Sequence, residues 1–194
     1  MSYLNIAAVV VGAYVVGSIP TGYMLAYVGG IKDIRNHGSG NIGATNVARI
    51  LGFQYFVPVL VIDATKAALY LMAIKSYGCS ESLVLTSALA LLAGNSYSLF
   101  LQLTGGKGIA TTAGILCVLN PCLALLLACL WISIVAFTRT VGIASAITCA
   151  GLVVSGLYFF SSDVPLAVTF ICIGAWGIWR HADNIKRYLN APID

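Results

Sequence analysis

The stretch Gly108-Ile-Ala-Thr-Thr-Ala-Gly-Ile-Leu-Cys-Val-Leu-Asn-Pro-Cys-Leu-Ala-Leu-Leu-Leu-Ala-Cys-Leu-Trp-Ile-Ser-Ile-Val-Ala-Phe137 decides the fold. Read as one helix kinked at Pro121, it leaves six membrane spans; read as two helices parted at Asn120-Pro121, it gives seven and puts the chain ends on opposite sides. Charge selects the second reading. With seven spans and the N-terminus outside, Lys32, Arg35, Arg49, Lys107, Arg139, Arg180, Lys186 and Arg187 all fall on the cytoplasmic face. Only Lys75 then lies towards the other face, beside Glu81 and Asp163, as the positive-inside rule requires. Six spans would export Arg139, Arg180, Lys186 and Arg187.

The rest of the chain fits that frame. Of its 194 residues, 60% are hydrophobic and only 8% charged, far from the quarter that soluble domains carry. Mean hydropathy is +0.96. Apolar runs long enough to act as spans fall near 4–28, 52–75, 82–103, 108–120, 121–138, 140–160 and 164–180. Gly29-Gly30, Tyr77-Gly78-Cys79, Thr104-Gly105-Gly106, Thr138-Arg139-Thr140 and the 161–165 turn separate them. The expected architecture is an all-α, polytopic integral membrane protein of seven transmembrane helices. Its N-terminus is outside, its C-terminus cytoplasmic, and residues 1–194 form one domain without internal repeat. The first span lacks a basic n-region and a small-residue cleavage site, so it is read as retained.

The fourth span is short: twelve residues from Gly108 to Leu119 rise about 18 Å, against a hydrocarbon core of about 30 Å. The expectation is that the Gly-Gly-Lys-Gly turn dips below the headgroups, leaving Lys107 recessed where a lipid-like and a water-soluble molecule meet.

Three polar segments share the cytoplasmic face. The first, Ile34-Arg-Asn-His-Gly-Ser-Gly-Asn-Ile-Gly-Ala-Thr-Asn-Val-Ala-Arg49, is glycine-rich and polar inside an apolar chain. Gly38, Gly40 and Gly43 suit a concavity of backbone N–H groups, and Ser39, Asn41, Thr45, Asn46 and Arg49 add side-chain donors, a combination fitted to a phosphate oxyanion. In the second, Thr104-Gly-Gly-Lys-Gly108, the glycines and Lys107 are expected to open the fourth helix, so that its free amides and positive dipole end meet the same anion. This is not a Walker loop, because Leu101 and Gly108 stand where glycine and Ser or Thr are needed. In the third, Arg180 to Arg187, His181 and Asn184 share a helical face at three-residue spacing, while the cations read as an interfacial anchor. His37 reads as a solvent-exposed turn residue. Asp63 and Lys66, an i, i+3 pair at membrane depth, read as a salt bridge locking the second helix beneath the site.

Several chemistries fall away. The six cysteines, at 79, 117, 122, 129, 149 and 172, show no metal-ligand spacing, although Cys79 and Cys122 share the outer face and a disulfide between them is open. Carboxylates on the cytoplasmic face are only Asp33, Asp183 and Asp194, too few for a metal hydrolase or for the aspartate array of CDP-alcohol phosphotransferases. Neither histidine has an aspartate five residues on, which removes the H-x-x-x-x-D acyltransferase pattern. What remains is a cationic, amide-rich, metal-free site suited to a substrate that arrives already activated.

The residues Gly17-Ser-Ile-Pro-Thr-Gly-Tyr23, the Arg35–Arg49 segment, Asp63-x-x-Lys66, Gly105-Gly-Lys-Gly108-Ile-Ala-Thr and Arg180-His-x-x-Asn-Ile-x-Arg187 come in an order that resembles the bacterial PlsY family of membrane acyltransferases from end to end. The resemblance implies seven helices, an external N-terminus and three cytoplasmic motifs in the bacterial inner membrane. It also implies transfer of a fatty acyl group from acyl phosphate to the 1-hydroxyl of glycerol 3-phosphate. The products would be lysophosphatidic acid and inorganic phosphate, in the first acylation of phospholipid synthesis. No cofactor, acyl-CoA, acyl carrier protein, metal or nucleic acid is expected, and the chain is expected to act as a monomer with membrane lipid around it. Carried over by position, Ser39, Arg49, Lys107, His181 and Asn184 are the catalytic set. Gly38, Gly40, Asn41, Thr45, Asn46, Gly105, Gly106 and Gly108 shape the substrate pocket.

The chain departs from that family at four places: Asn95 stands for the usual His, Thr104 for Lys, Asp183 for Glu and Ala67 for Gly. The expected consequence is a weaker anion field or an altered donor preference, with function kept. An anion transporter is the rival reading of another class, but it would want repeats and a second gate. A purely structural scaffold leaves both glycine-rich turns without a purpose.

Overall fold

The computed structural model describes residues 3–190. The chain divides into two compact units at Leu119–Asn120. Neither unit contains a strand among the described residues.

The first unit holds α1 (Tyr3–Ser18), α2 (Thr21–Val28), α3 (Ala44–Leu51), α4 (Phe56–Ser76), α5 (Glu81–Ser96) and α6 (Ile109–Leu119). The segment expected as one span, 4–28, is interrupted at Ile19-Pro20, because proline offers no N–H and its ring clashes with the carbonyl one turn back. A break at membrane depth leaves carbonyls without helical partners, and the chain supplies one from α4. Lys66 Nζ donates to Ile19 O at 2.6 Å and lies 2.7 Å from Asp63 Oδ1. The intramembrane pair therefore does structural service at the break, in line with the sequence reading. Both side chains are about nine-tenths buried, so neither charge would be tolerable alone.

Small residues set the helix spacing. A Cβ on Gly17 of α1 would strike the Leu91 carbonyl of α5, and one on Gly94 of α5 would strike the Tyr14 carbonyl of α1. With both positions bare, the two backbones come into contact, the packing that apolar helices use where burial from water offers no drive. Tyr14 Oη donates to Tyr97 O at 2.6 Å and the buried Ser98 Oγ to Ser18 O at 2.6 Å, so the end of α5 and the end of α1 are held together by hydrogen bonds. Ala26, Ile34, Ile42, Val47, Val59 and Leu101 close over one another as a small apolar core that anchors the first polar loop between α2 and α4.

In the second unit, α7 (Pro121–Thr138), α8 (Val141–Val154), α9 (Val164–Arg180) and α10 (Ala182–Leu189) follow. Asn120 is extended, and its Oδ1 accepts from Leu123 N at 2.9 Å, capping α7 with Pro121 in its first turn. Gly108–Phe137 is thus parted into two helices at Asn120-Pro121. The last turn of α8 widens into a π-helical segment, Ser155–Phe159. Trp131 Nε1 donates to Ser145 Oγ across α7 and α8 at 3.0 Å, and Gly174 lets α9 meet the Cys149 carbonyl of α8.

Length and composition give four helical stretches able to cross a membrane: Tyr3–Val28, Phe53–Ser76, Pro121–Thr138 and Val141–Phe159. The bent pair Val164–Arg180 and Ala182–Leu189 makes a fifth. Two expected spans are shorter than expected. The run 82–103 is helical only from Glu81 to Ser96, because Ser98 caps a 3₁₀ turn at Leu99–Leu101, and Gln102 and Leu103 then adopt left-handed φ of 55° and 59°. α6 has 11 residues, a rise of about 16 Å. Neither Cys79 nor Cys122 is joined in a disulfide.

Candidate active site

The first polar loop is built around Asn46. This side chain, 2% exposed, accepts from Ser39 N at 2.8 Å through Oδ1, and its Nδ2 donates to His37 O and Asn41 O, each at 2.9 Å. Arg49 Nη1 also reaches Oδ1, at 3.4 Å. Gly38 and Gly40 take φ of 60° and 72°, a region that strains other residues, and a Cβ on Gly38 would strike Asn46 Oδ1. Ser39 is therefore carried outward, exposed, on a turn whose underside is tied down.

This geometry corrects the expected cradle of glycine amides. Ser39 N goes to Asn46, Gly40 N to His37 O at 3.1 Å and Gly43 N to Asn41 Oδ1 at 2.8 Å. These N–H groups hold the loop's shape, since buried backbone donors must be paired somewhere. Asn41 and Asn46 likewise spend amide groups on the backbone. What the loop presents is the Ser39 hydroxyl, the exposed Arg49, and the first turn of α3 at Ala44 and Thr45, whose amides have no intrahelical acceptors.

The second motif is held from below by α5. Gly106 N donates to Asn95 O at 2.9 Å, and Ser98 and Thr104 pair as a small bridge. A Cβ on Gly105 would strike the Asn95 carbonyl, and one on Gly108, whose φ is 83°, would strike Leu92. The glycines thus seat the turn on the end of α5. Gly106 N is engaged with Asn95 O, while the left-handed Gly108, directly after Lys107, opens α6 by accepting from Thr112 N at 2.7 Å. Lys107 itself is half-buried.

One residue that sequence reasoning left unassigned links the two motifs. Arg35 forks Asp33 through Nε, at 2.9 and 3.1 Å, and through Nη2, at 2.6 Å. Its Nη1 donates to Thr104 Oγ1 at 2.9 Å, next to Gly105, and to Leu101 O at 3.4 Å. Asp33 is held below the usual carboxylate range by hydrogen bonds from Arg35, and the guanidinium is raised by the same pair. Two spaced charges, Asp33-x-Arg35, were the only signal the sequence offered.

In the second unit, His181 ends α9 and starts α10. Its Nδ1 lies 2.8 Å from Gly177 O, an acceptor only, so the neutral ring carries its proton on Nδ1 and presents Nε2 as the basic nitrogen. In contrast to the single helical face that their spacing suggests, His181 and Asn184 do not ride one straight helix, for the chain bends by 51° between α9 and α10. His181 O accepts from Asn184 N and Ile185 N at 2.9 and 3.0 Å, restarting the helix in a new direction. The Asn184 side chain lies against Gly142 in the first turn of α8. His37 is exposed and serves the first loop through its carbonyl.

Comparison with known proteins places the chain in a family. The sequence profile of a family described as glycerol-3-phosphate acyltransferase matches residues 7–191. The glycerol-3-phosphate acyltransferase of Aquifex aeolicus (strain VF5) is 40% identical over 183 residues, covering 93% of each chain. That of Desulforudis audaxviator (strain MP104C) is 42% identical over 182 residues, covering 93% of this chain and 83% of the relative. Among solved structures, the glycerol 3-phosphate form of PlsY, an integral membrane glycerol 3-phosphate acyltransferase, superposes with a TM-score of 0.85 at 36% identity, covering 95% of this chain and 92% of that one. The lysophosphatidic acid form of PlsY gives 0.83 at 34% identity, with the same coverage. This all-helical integral membrane protein belongs to the glycerol-3-phosphate acyltransferase family of PlsY.

Proposed function

We propose that the chain transfers a fatty acyl group from acyl phosphate to the 1-hydroxyl of glycerol 3-phosphate, releasing lysophosphatidic acid and inorganic phosphate. The observation that carries this reading is the family match through residues 7–191, which spans both glycine-rich cationic motifs of the first unit. A solved relative in a glycerol 3-phosphate form and a lysophosphatidic acid form supports the acceptor and the product.

In this reading the acceptor hydroxyl oxygen attacks the acyl carbonyl carbon, the bond from that carbon to the bridging phosphate oxygen breaks, and phosphate leaves. Phosphate is a good leaving group, so the protein's work is alignment and charge stabilisation. Arg49 and Lys107 neutralise the two substrate phosphates. Ser39, with the leading amides of α3, steadies the developing charge, and Gly38, Gly40, Asn41, Thr45, Asn46, Gly105, Gly106 and Gly108 shape the pocket. The hydroxyl proton passes to a substrate phosphate oxygen or to His181, whose Nε2 is the basic nitrogen in the neutral ring, with Asn184 completing the set.

The proposal extends to topology. Residues 1–194 form one domain of seven spans in a bacterial inner membrane, with the N-terminus outside and the C-terminus and site cytoplasmic, working as a monomer. The short α6 recesses Lys107 at the interface. The test is lysophosphatidic acid formation by detergent-purified protein given palmitoyl phosphate and labelled glycerol 3-phosphate, with chelator present and S39A and H181Q alongside. Chelator-resistant product lost in S39A is the expected result, and near-normal turnover of H181Q assigns the proton to phosphate. Folded protein that makes no product, yet moves phosphate across liposomes, replaces this reading with a transporter.

A further inference from the structure

Arg35 stands outside the residues assigned to the chemistry, yet it joins the two motifs of the first unit. Its own carbonyl underlies Gly40, where a Cβ would sit 3.1 Å from it, so the Ser39-Gly40 turn rests on the Arg35 peptide. Its guanidinium reaches the other motif at Thr104 and Leu101, the residues that lead into Gly105-Gly106-Lys107. Its orientation is fixed three ways. Asp33 forks it, Asp33 Oδ1 also accepts the Arg35 backbone N–H at 2.9 Å, and the Tyr23 ring lies 5.7 Å from Arg35 Cζ. A cation so closely paired is a strut more than an anion ligand.

We propose that Arg35 is a positioning residue for acyl transfer, anchored by Asp33 and Thr104, which sets the separation of the Ser39 turn from the Lys107 turn. The proposal rests on the acyltransfer reading and deepens it. Groups that must align on one transition state lose about a hundredfold in rate for a displacement of about 1 Å. Two loops carried on different helices need such a tie.

Thr104 gives the proposal its sharpest edge. Its hydroxyl accepts from Arg35 while donating to Leu101 O at 2.6 Å. A lysine at this position would bring three donors and no acceptor. T104K therefore sets one cation against another and breaks the tie.

The experiment compares wild type, T104V, T104K, R35K, R35Q and R35Q/T104V for kcat and for KM towards glycerol 3-phosphate. In parallel, K107C is labelled by a water-soluble maleimide with and without T104V. Losing a hydrogen bond to a charged group predicts that kcat falls about tenfold in T104V and in T104K, and further in R35Q, with KM moved less than about threefold. R35K keeps the charge but loses the fork, so it does not rescue. Because the two side chains act through one tie, R35Q/T104V matches R35Q, and K107C labels several-fold faster once T104V is present. Rescue by R35K, effects that multiply in the double variant, an active T104K, or unchanged K107C labelling would each overturn the proposal. If R35Q does not fold, T104V and T104K decide alone. Wild type that makes no lysophosphatidic acid removes the acyltransfer reading, while the K107C labelling still decides the tie.

Discussion

The two glycine-rich motifs of the first unit solve the same problem in opposite ways. The loop 34–49 is held from within, by the buried amide of Asn46 and by Asn41 turned back on its own backbone. The turn 104–108 has almost no side chains to spend and is held from without, resting on the last carbonyls of α5 and on Leu92. The first should fail when a polar side chain is removed, and the second when a methyl group is added. That contrast separates residues that shape the site from residues that touch substrate, which the sequence alone presents as one polar set.

The largest effect is expected at Asn46. N46A removes the acceptor of Ser39 N and orphans two carbonyls; at about 1 kcal/mol for each buried hydrogen bond, about 3 kcal/mol is lost locally, or about a hundredfold in turnover. N46D keeps the acceptor but sets a carboxylate against His37 O and Asn41 O, so it fares no better. Steady-state rates with thermal unfolding in detergent check both. An N46D enzyme of normal activity would mean that Asn46 serves the substrate as an acceptor and that the loop stands without its donors.

The second motif answers to bulk. G105A brings a Cβ onto the fixed carbonyls of Asn95 and Ser96, an overpacking of about 1–3 kcal/mol, or about ten- to a hundredfold in rate if the turn shifts. G106A meets only Asn95 Oδ1, at 3.0 Å, the end of a side chain that rotates away, so a few-fold loss is expected and G106A/N95A recovers most of it. Equal damage from G105A and G106A would show that the turn does not lean on the carbonyls of α5.

How much of this was legible follows from range. Proline and asparagine at 120–121 marked the boundary between α6 and α7 because capping is local, and the Asp63–Lys66 pairing was readable from its three-residue spacing. The acceptor that Lys66 finds, Ile19 O, lies 47 residues away and exists only because Pro20 breaks α1. The motifs themselves were legible, but the direction of their N–H groups was not, since the same glycines can form an outward cradle or an inward-tied turn, and Asn46 chooses. The end of α5 escaped because Leu99, Phe100, Leu101 and Leu103 continue its hydropathy past the point where Ser98 turns the chain. Arg35 and Thr104, 69 residues apart, carried no periodic signature that would pair them.

The smallest effect sharpens the contrast from the electrostatic side. Hydrogen bonds from Arg35 depress the Asp33 carboxyl below its ordinary 3.8, so the folded state favours the ionised form. A group depressed in the folded state contributes stability that is complete above its unfolded pKa and is lost as pH falls through the folded one. The difference in unfolding temperature between wild type and D33N should therefore stay level from about pH 5 to about pH 9 and shrink only below the ordinary carboxylate value. Across the same range D33N should lower turnover by a constant factor without moving the pH optimum, because Asp33 holds the strut and exchanges no proton with substrate. A D33N enzyme whose optimum shifts would instead bring the Asp33–Arg35 pair into the proton path, and the first loop would then do chemistry as well as present it.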